Sequence, residues 1–162
     1  MEWNTDSSLG VSTIMERVST ILDEHDMCVL GTVGAQEPRL TPCFFAPLDE
    51  HRLVFVSSRG SRHVAHMRAD PHCSALVLPE QREQGRLVSL LLAGEVTCPQ
   101  GRSRLSALTS YMARMLSRLP SAASSMHGLL DKKVFVLDAE SIELVDTRLC
   151  RGTMRVGRRP RG

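Results

Sequence analysis

The sequence predicts a mainly β, α+β domain: an antiparallel barrel of six to seven strands with peripheral helices. Three observations lead there. Apolar, β-favouring stretches follow one another at short intervals along most of the chain. The gaps between the first three, "GAQEP" and "LDEH", have the length and composition of hairpin turns, which makes those strands an antiparallel meander. The strands are also too few for a two-sheet sandwich of usual size, whereas closing them into a barrel removes exposed edges.

The first element is a helix. Val11, Ile14, Met15, Val18, Ile21 and Leu22 recur at helical spacing, so an amphipathic helix is predicted to end near Asp23. Strands follow at 27–33 (MCVLGTV), 39–47 (RLTPCFFAP) and 52–57 (RLVFVS). A short helix over about 61–69 precedes strands at 73–78 (CSALVL) and 86–97 (RLVSLLLAGEVT). A longer helix, "GRSRLSALTSYMARMLSRL", places Leu105, Leu108, Met112, Met115, Leu116 and Leu119 on one face and stops at Pro120. After a small, polar loop, "PSAASSMHG", come the last strands, 132–138 and 142–146.

Composition narrows the function classes. With 162 residues, 42% hydrophobic and 23% charged, the chain reads as one domain over 1–150, followed by a basic, flexible C-terminal tail over 151–162 that ends in "RVGRRPRG". A net charge of +2 is too small for the basic stripe of a nucleic-acid binder. Neither a long apolar run nor a signal-peptide layout is seen, so the expected location is cytoplasmic, with no membrane partner. The five cysteines are widely spaced without a CxxC pair, which favours neither a disulfide framework nor a zinc ribbon.

The stretch 54–67, "VFVSSRGSRHVAHM", concentrates the polar chemistry. It sets Ser57, Ser58 and Ser61 beside Arg59 and Arg62 where a strand hands over to a helix. Ser61 is placed to cap that helix, and the unpaired N–H groups of a helix N-terminus, with their partial positive charge, attract anions. A phosphate monoester carries up to about two negative charges and three acceptor oxygens. Arg62 could clamp it bidentately, with Ser57, Ser61 and His63 completing a cradle. The same residues also compose an ordinary solvated loop with a helix cap. No GxxxxGK[ST] or GxGxxG fingerprint occurs.

The block from 39 to 80 decides between these alternatives. An arginine, Arg39, opens a strand; then come the acidic hairpin "LDEH", the apolar strand "LVFVS", Gly60-Ser61-Arg62-His63, and Asp70-Pro71 followed by "CSALVL". This order resembles the pyridoxamine 5'-phosphate oxidase family of FMN-binding split barrels, with weaker similarity from about 12 to 150. The resemblance implies that residues 1–150 form a single FMN-binding split-barrel domain. It further implies a homodimer with FMN between the two barrels and a small-molecule substrate. Carried over by position, Ser57, Ser58, Ser61, Arg62 and His63 would surround the FMN phosphate, assisted by Arg39. His63 stands where family members usually have lysine, and Phe44 where the true oxidases carry a second lysine. The oxidases' C-terminal arginine, two residues before a histidine, is not reproduced by "DTRLCRGTM", where Arg148 is followed by Cys150. The resemblance therefore points to a small flavoprotein branch outside the true oxidases.

Three readings follow: an FMN-dependent oxidoreductase, a non-catalytic flavin- or haem-binding carrier of the same fold, and a split barrel that has lost its cofactor, to which His63 and Phe44 point. His63 and His66, with His72 and Cys73 behind them, lack acidic partners at ligand spacing, and no metal site is expected. His127 falls in the small-residue loop and reads as solvent-facing. Trp3 and Tyr111 are the only residues of their kinds and the candidates for stacking on a flavin ring, although core packing also accounts for Tyr111. No Ser-His-Asp or paired-carboxylate motif supports a hydrolase.

Overall fold

A computed structural model describes residues 3–35, 37–80, 84–118 and 132–158. Its elements are β1 (Trp3–Thr5), α1 (Val11–Glu24), β2 (Met27–Val33), β3 (Pro38–Pro47), β4 (Arg52–Ser58), α2 (Arg62–Ala69), β5 (His72–Val77), β6 (Val88–Thr97), α3 (Gly101–Arg118), β7 (Lys132–Asp146) and β8 (Thr153–Arg158). The sheet runs β1-β8-β7-β4-β3-β2-β5-β6, and β6 pairs back onto β7. Six antiparallel strands therefore close a barrel, with β8 and β1 added outside it. The expected mainly β barrel with peripheral helices is the fold observed. None of the described helices is long and apolar enough to cross a membrane.

Alternation builds the interior. Along β2 the side chains of Cys28, Leu30 and Thr32 are buried and their neighbours are not, the period expected of a strand with one face on a core. Phe45, Phe55, Leu90, Leu92, Leu137 and Ile142 join Cys28 and Leu30 in one core cluster, into which α1 inserts Ile14, Val18, Ile21 and Leu22 and α2 inserts Val64 and Met67. A smaller outer cluster of Ala46, Val54, Val134 and Val136 packs against Ala107 of α3, flanked by Leu108 and Tyr111. Arg114 of α3 donates to the carbonyls of Leu22, Asp23 and His25 at 2.6–3.0 Å. These are carbonyls that the end of α1 leaves without helical partners.

The structure corrects four expectations. The last two predicted strands are one strand of 15 residues, β7. Its interruption is a bulge opposite Ala93 and Gly94 that leaves Glu140 extra, so β7 bends and passes from β4 to β8. A Cβ at Gly94 would stand 2.1 Å from the Asp138 carbonyl oxygen, which is why glycine occupies this point. The flexible tail predicted from 151 is instead partly strand: in β8, Met154 and Val156 alternate into the core at 1% exposure each. The two arginines of β8 are paired, Arg155 with Glu143 at 3.0 Å and Arg158 with Asp138, while Arg158 also lies 5.1 Å from the Trp3 ring. Trp3 is thus packed at β1, beside His51, rather than placed to stack on a ligand. On α3, Leu105 and Leu116 are 65% and 43% exposed, and the buried residues are Ala107 and Met115. Met115 and Leu108 of the predicted face do pack inward, but Leu105 and Leu116 do not, because the small Ala107 lets the helix lie close to the sheet on a face turned away from them. Leu119, Pro120, His127 and the rest of the predicted loop lie outside the described residues.

Candidate functional site

The site originates where β3 and β4 part company. They pair only from Phe45↔Phe55 to Pro47↔Leu53. Beyond that, β3 stays with β2 down to Val33↔Pro38, while β4 stays with β7 through Val56↔Val134, Ser57↔Lys133 and Ser58↔Lys132. Phe45 N–H donates to the Asp26 carbonyl at 2.9 Å, so residues two and four back, Cys43 and Thr41, also turn their backbone groups to β2. Pro42 therefore faces β4, where it has no N–H to offer, so the ladder, already ended at Phe45↔Phe55, has no hydrogen bond to resume with further along.

The separation opens a cleft of about 430 Å³, lined by Met27, Pro42, Cys43 and Phe44 on one side and Val56, Ser57, Ser58 and Lys132 on the other, with Ser61, His63 and Tyr111 closing it. At its polar end the chain turns from β4 into α2. Ser61 N–H and Oγ both donate to the Ser58 carbonyl, at 3.1 and 2.8 Å. Ser61 occupies the N-cap position, yet its hydroxyl is spent on that turn, so the first N–H groups of α2 have no side-chain cap. His63 Nε2 lies 2.9 Å from the buried Ser57 hydroxyl and 3.3 Å from that of Ser61.

Of the six candidate residues, Ser57, Ser58, Ser61 and His63 line the cleft together. Arg39 stands behind them on the same face of β3 as Thr41 and Cys43, and both Arg39 Nε and Thr41 Oγ1 are buried without a hydrogen-bond partner among the described residues. Arg62 points elsewhere, with its side chain 74% exposed and 3.8 Å from Glu37. Lys132 was not singled out in the sequence; only its register opposite Ser58 brings it to the cleft. Tyr111 does reach the cleft, from α3.

Burial, then the neighbouring Arg39 and His66, hold His63 below the ordinary histidine range, which keeps it neutral near pH 7. Burial pushes the Tyr111 phenol up to about 12 and the Cys43 thiol up to about 11, the latter pulled back by the Ser57 hydroxyl beside it. Hydroxyls, uncapped N–H groups and a neutral imidazole backed by an arginine suit a phosphate at this end. The apolar walls suit a ring system at the other.

The other described histidines do not converge on the cleft. His66 contacts Thr32 Oγ1 at 3.2 Å, and His72 is paired with Asp70 at 2.7 Å on the exposed surface. Among the described residues, Asp49, Glu50 and His51 alone gather three potential ligand atoms, at the β3–β4 hairpin. There Asp49 already accepts from the N–H groups of His51 and Arg52 and from the Arg52 guanidinium.

Residues 14–146 match the model of the family described as pyridoxamine 5'-phosphate oxidase. No curated protein matches the chain. Among solved structures, a haem-binding protein from Mycobacterium smegmatis superposes with a TM-score of 0.69 at 20% identity, over 81% of this chain and 53% of its own. This chain therefore spans about half the length of that protein. A FAD-binding protein from Mesorhizobium loti gives 0.63 at 17% identity, over 98% and 99%. A haem storage protein from Vibrio cholerae gives 0.61 at 19% identity, over 77% and 89%. All three share the fold.

Proposed function

The chain belongs to the pyridoxamine 5'-phosphate oxidase family, and on that footing we propose that it is a cytoplasmic FMN-binding flavoprotein, an oxidoreductase acting on a small molecule. One observation carries the proposal: Ser57, Ser61 and His63 meet at the uncapped start of α2, in the cleft between β3 and β4. Arg39 Nε and Thr41 Oγ1, buried without a partner among the described residues, are consistent with this fit, leaving two polar atoms behind the cleft for a ligand to satisfy.

In this reading Ser57, Ser61 and the first-turn N–H groups of α2 hold the phosphate, and Arg39 and Lys132 add positive charge. His63 takes up a proton as the phosphate arrives. Phe44, Val56, Met27 and Tyr111 flank the ring system and exclude water. FMN supplies the electron-transfer chemistry; the protein orients the cofactor and sets its electrostatic surroundings.

The reading includes a homodimer. Met27, Val33, Leu40, Phe44 and Leu78 are 40–76% exposed, and the ladder places the first four on one outer face of β2 and β3. This apolar face runs directly into the cleft through Met27 and Phe44, so a second copy covering it would also complete the ligand site. Leu40→Glu is expected to give a monomer by light scattering; an unchanged mass would remove this face from the interface.

A carrier role is the second reading, favoured by the haem-binding and haem-storage proteins that share the fold. The absorption spectrum of the purified protein, with identification of what denaturation releases, separates the two. A two-band flavin spectrum, released FMN and turnover with reduced nicotinamide support the oxidoreductase. Flavin or haem held without turnover supports the carrier. A colourless protein that fails to bind added FMN or haem overturns both.

A further inference from the structure

Cys28 on β2 and Cys43 on β3 are direct partners in the ladder, and neither has a part in the ligand reading. Direct partners share a face of the sheet. Here it is the inner face: Cys28 is 2% exposed in the main core cluster, and Cys43 packs against that cluster while its other side lines the cleft. The bond from Phe45 N–H to the Asp26 carbonyl fixes the parity, so Cys28 and Cys43 form a hydrogen-bonded pair. The Cα separation in such pairs is about 5.5 Å. A disulfide spans roughly 4.4–6.8 Å between Cα atoms but about 3.5–4.5 Å between Cβ atoms, whereas direct cross-strand partners hold their Cβ atoms about 4.5–5.5 Å apart, so closing the bond requires a small local shift of β2 against β3. Both thiols are free.

We propose that Cys43 and Cys28 form a dithiol–disulfide couple at the floor of the cleft, oxidised by a hydroperoxide small enough to enter it. Cys43 reacts first, being the partner that faces the cleft. Its thiolate attacks the O–O bond of hydrogen peroxide; an S–O bond forms, hydroxide leaves and is protonated to water, and Cys43 becomes a sulfenic acid. The Cys28 sulfur then attacks the Cys43 sulfur: the S–S bond forms, the S–O bond breaks, and the hydroxyl leaves as water with the Cys28 proton. Two thiols are oxidised, one peroxide is reduced, and two waters are produced.

Charge effects agree with this order. Burial raises both thiols, Cys28 further than Cys43, and the Ser57 hydroxyl offsets part of the effect at Cys43 alone. Because the thiolate is the nucleophile, the rate should rise roughly tenfold per pH unit while the solution stays below the Cys43 value of about 11. The register that pairs the two thiols does not depend on what the cleft binds.

The test uses the full chain, treated with hydrogen peroxide at mildly alkaline pH, alkylated, and mapped by non-reducing digestion and mass spectrometry. The expected product is a single Cys28–Cys43 crosslink, lighter by the mass of two hydrogens, with Cys73, Cys98 and Cys150 still alkylated and both thiols restored by dithiothreitol. In Cys28→Ser, Cys43 should stop at the sulfenic acid and be trapped by dimedone. A crosslink to another cysteine, Cys43 oxidised beyond sulfenic acid while Cys28 stays alkylated, or no reaction at either residue would overturn the proposal. The crosslink map of the unaltered protein decides the matter even if the variant does not fold.

Discussion

The two sides of the barrel treat strand pairing differently. β6 and β7 remain paired from Val88↔Asp146 to Thr97↔Val136, and a bulge absorbs the bend. β3 and β4 pair from Phe45↔Phe55 to Pro47↔Leu53 and then separate. On the first side every bend is absorbed within the ladder, and the residues facing in are Leu90, Leu92, Ile142 and Leu144. On the second the ladder is given up, and hydroxyls and a histidine occupy the gap, with the Arg39 guanidinium behind them. The comparison teaches where this fold keeps stability and where it keeps chemistry. A closed barrel can leave one seam open because its other seams are continuous.

The largest effect should come from the closed side. Gly94→Val drives a side chain into the Asp138 carbonyl oxygen and should cost about 3 kcal/mol or more of stability in chemical denaturation. A loss under about 1 kcal/mol would mean that the bulge yields. At the open seam the order reverses. Arg39→Met should weaken binding of a phosphate-bearing ligand by about 2 kcal/mol, roughly thirtyfold, without lowering the melting temperature, because it removes a buried atom that has no partner. A lower melting temperature with unchanged affinity would place Arg39 in the stability of the barrel instead.

The smallest effect concerns protons. His63 is depressed in the folded protein, so its contribution to stability is full above its ordinary value near 6.5 and is lost as pH falls through the lower folded value. A bound phosphate favours the imidazolium, so ligand affinity should rise as pH falls toward that range. His63→Lys should tighten binding above neutral pH and flatten the part of the pH dependence that distinguishes it from the unaltered protein, as measured by calorimetry. Identical pH profiles for the two proteins would show that the imidazole does not face the phosphate.

Most of the barrel was legible because period-two alternation and hairpin turns are local signals. β8 was hidden because its alternation, Met154 and Val156, is set among arginines whose partners, Glu143 and Asp138, are remote in sequence. The continuity of β7 was hidden by "AES", which reads as a break but is a bulge. In the site, Ser57, Ser61 and His63 could be found because one strand-to-helix turn carries all three. Lys132 could not, since only its register opposite Ser58 brings it there. Nor could the outward aim of Arg62, which depends on how a short helix is rotated about its axis.

The contact of Arg114 with the end of α1 has a dynamic consequence. Tyr111, a wall of the cleft, lies one helical turn before that guanidinium on α3. Leu22, whose carbonyl the guanidinium holds, is 1% exposed in the barrel core. The wall of the cleft and the plug of the barrel should therefore open as one cooperative unit in hydrogen exchange. Arg114→Ala would uncouple them, with α3 amides exchanging faster than those of α1.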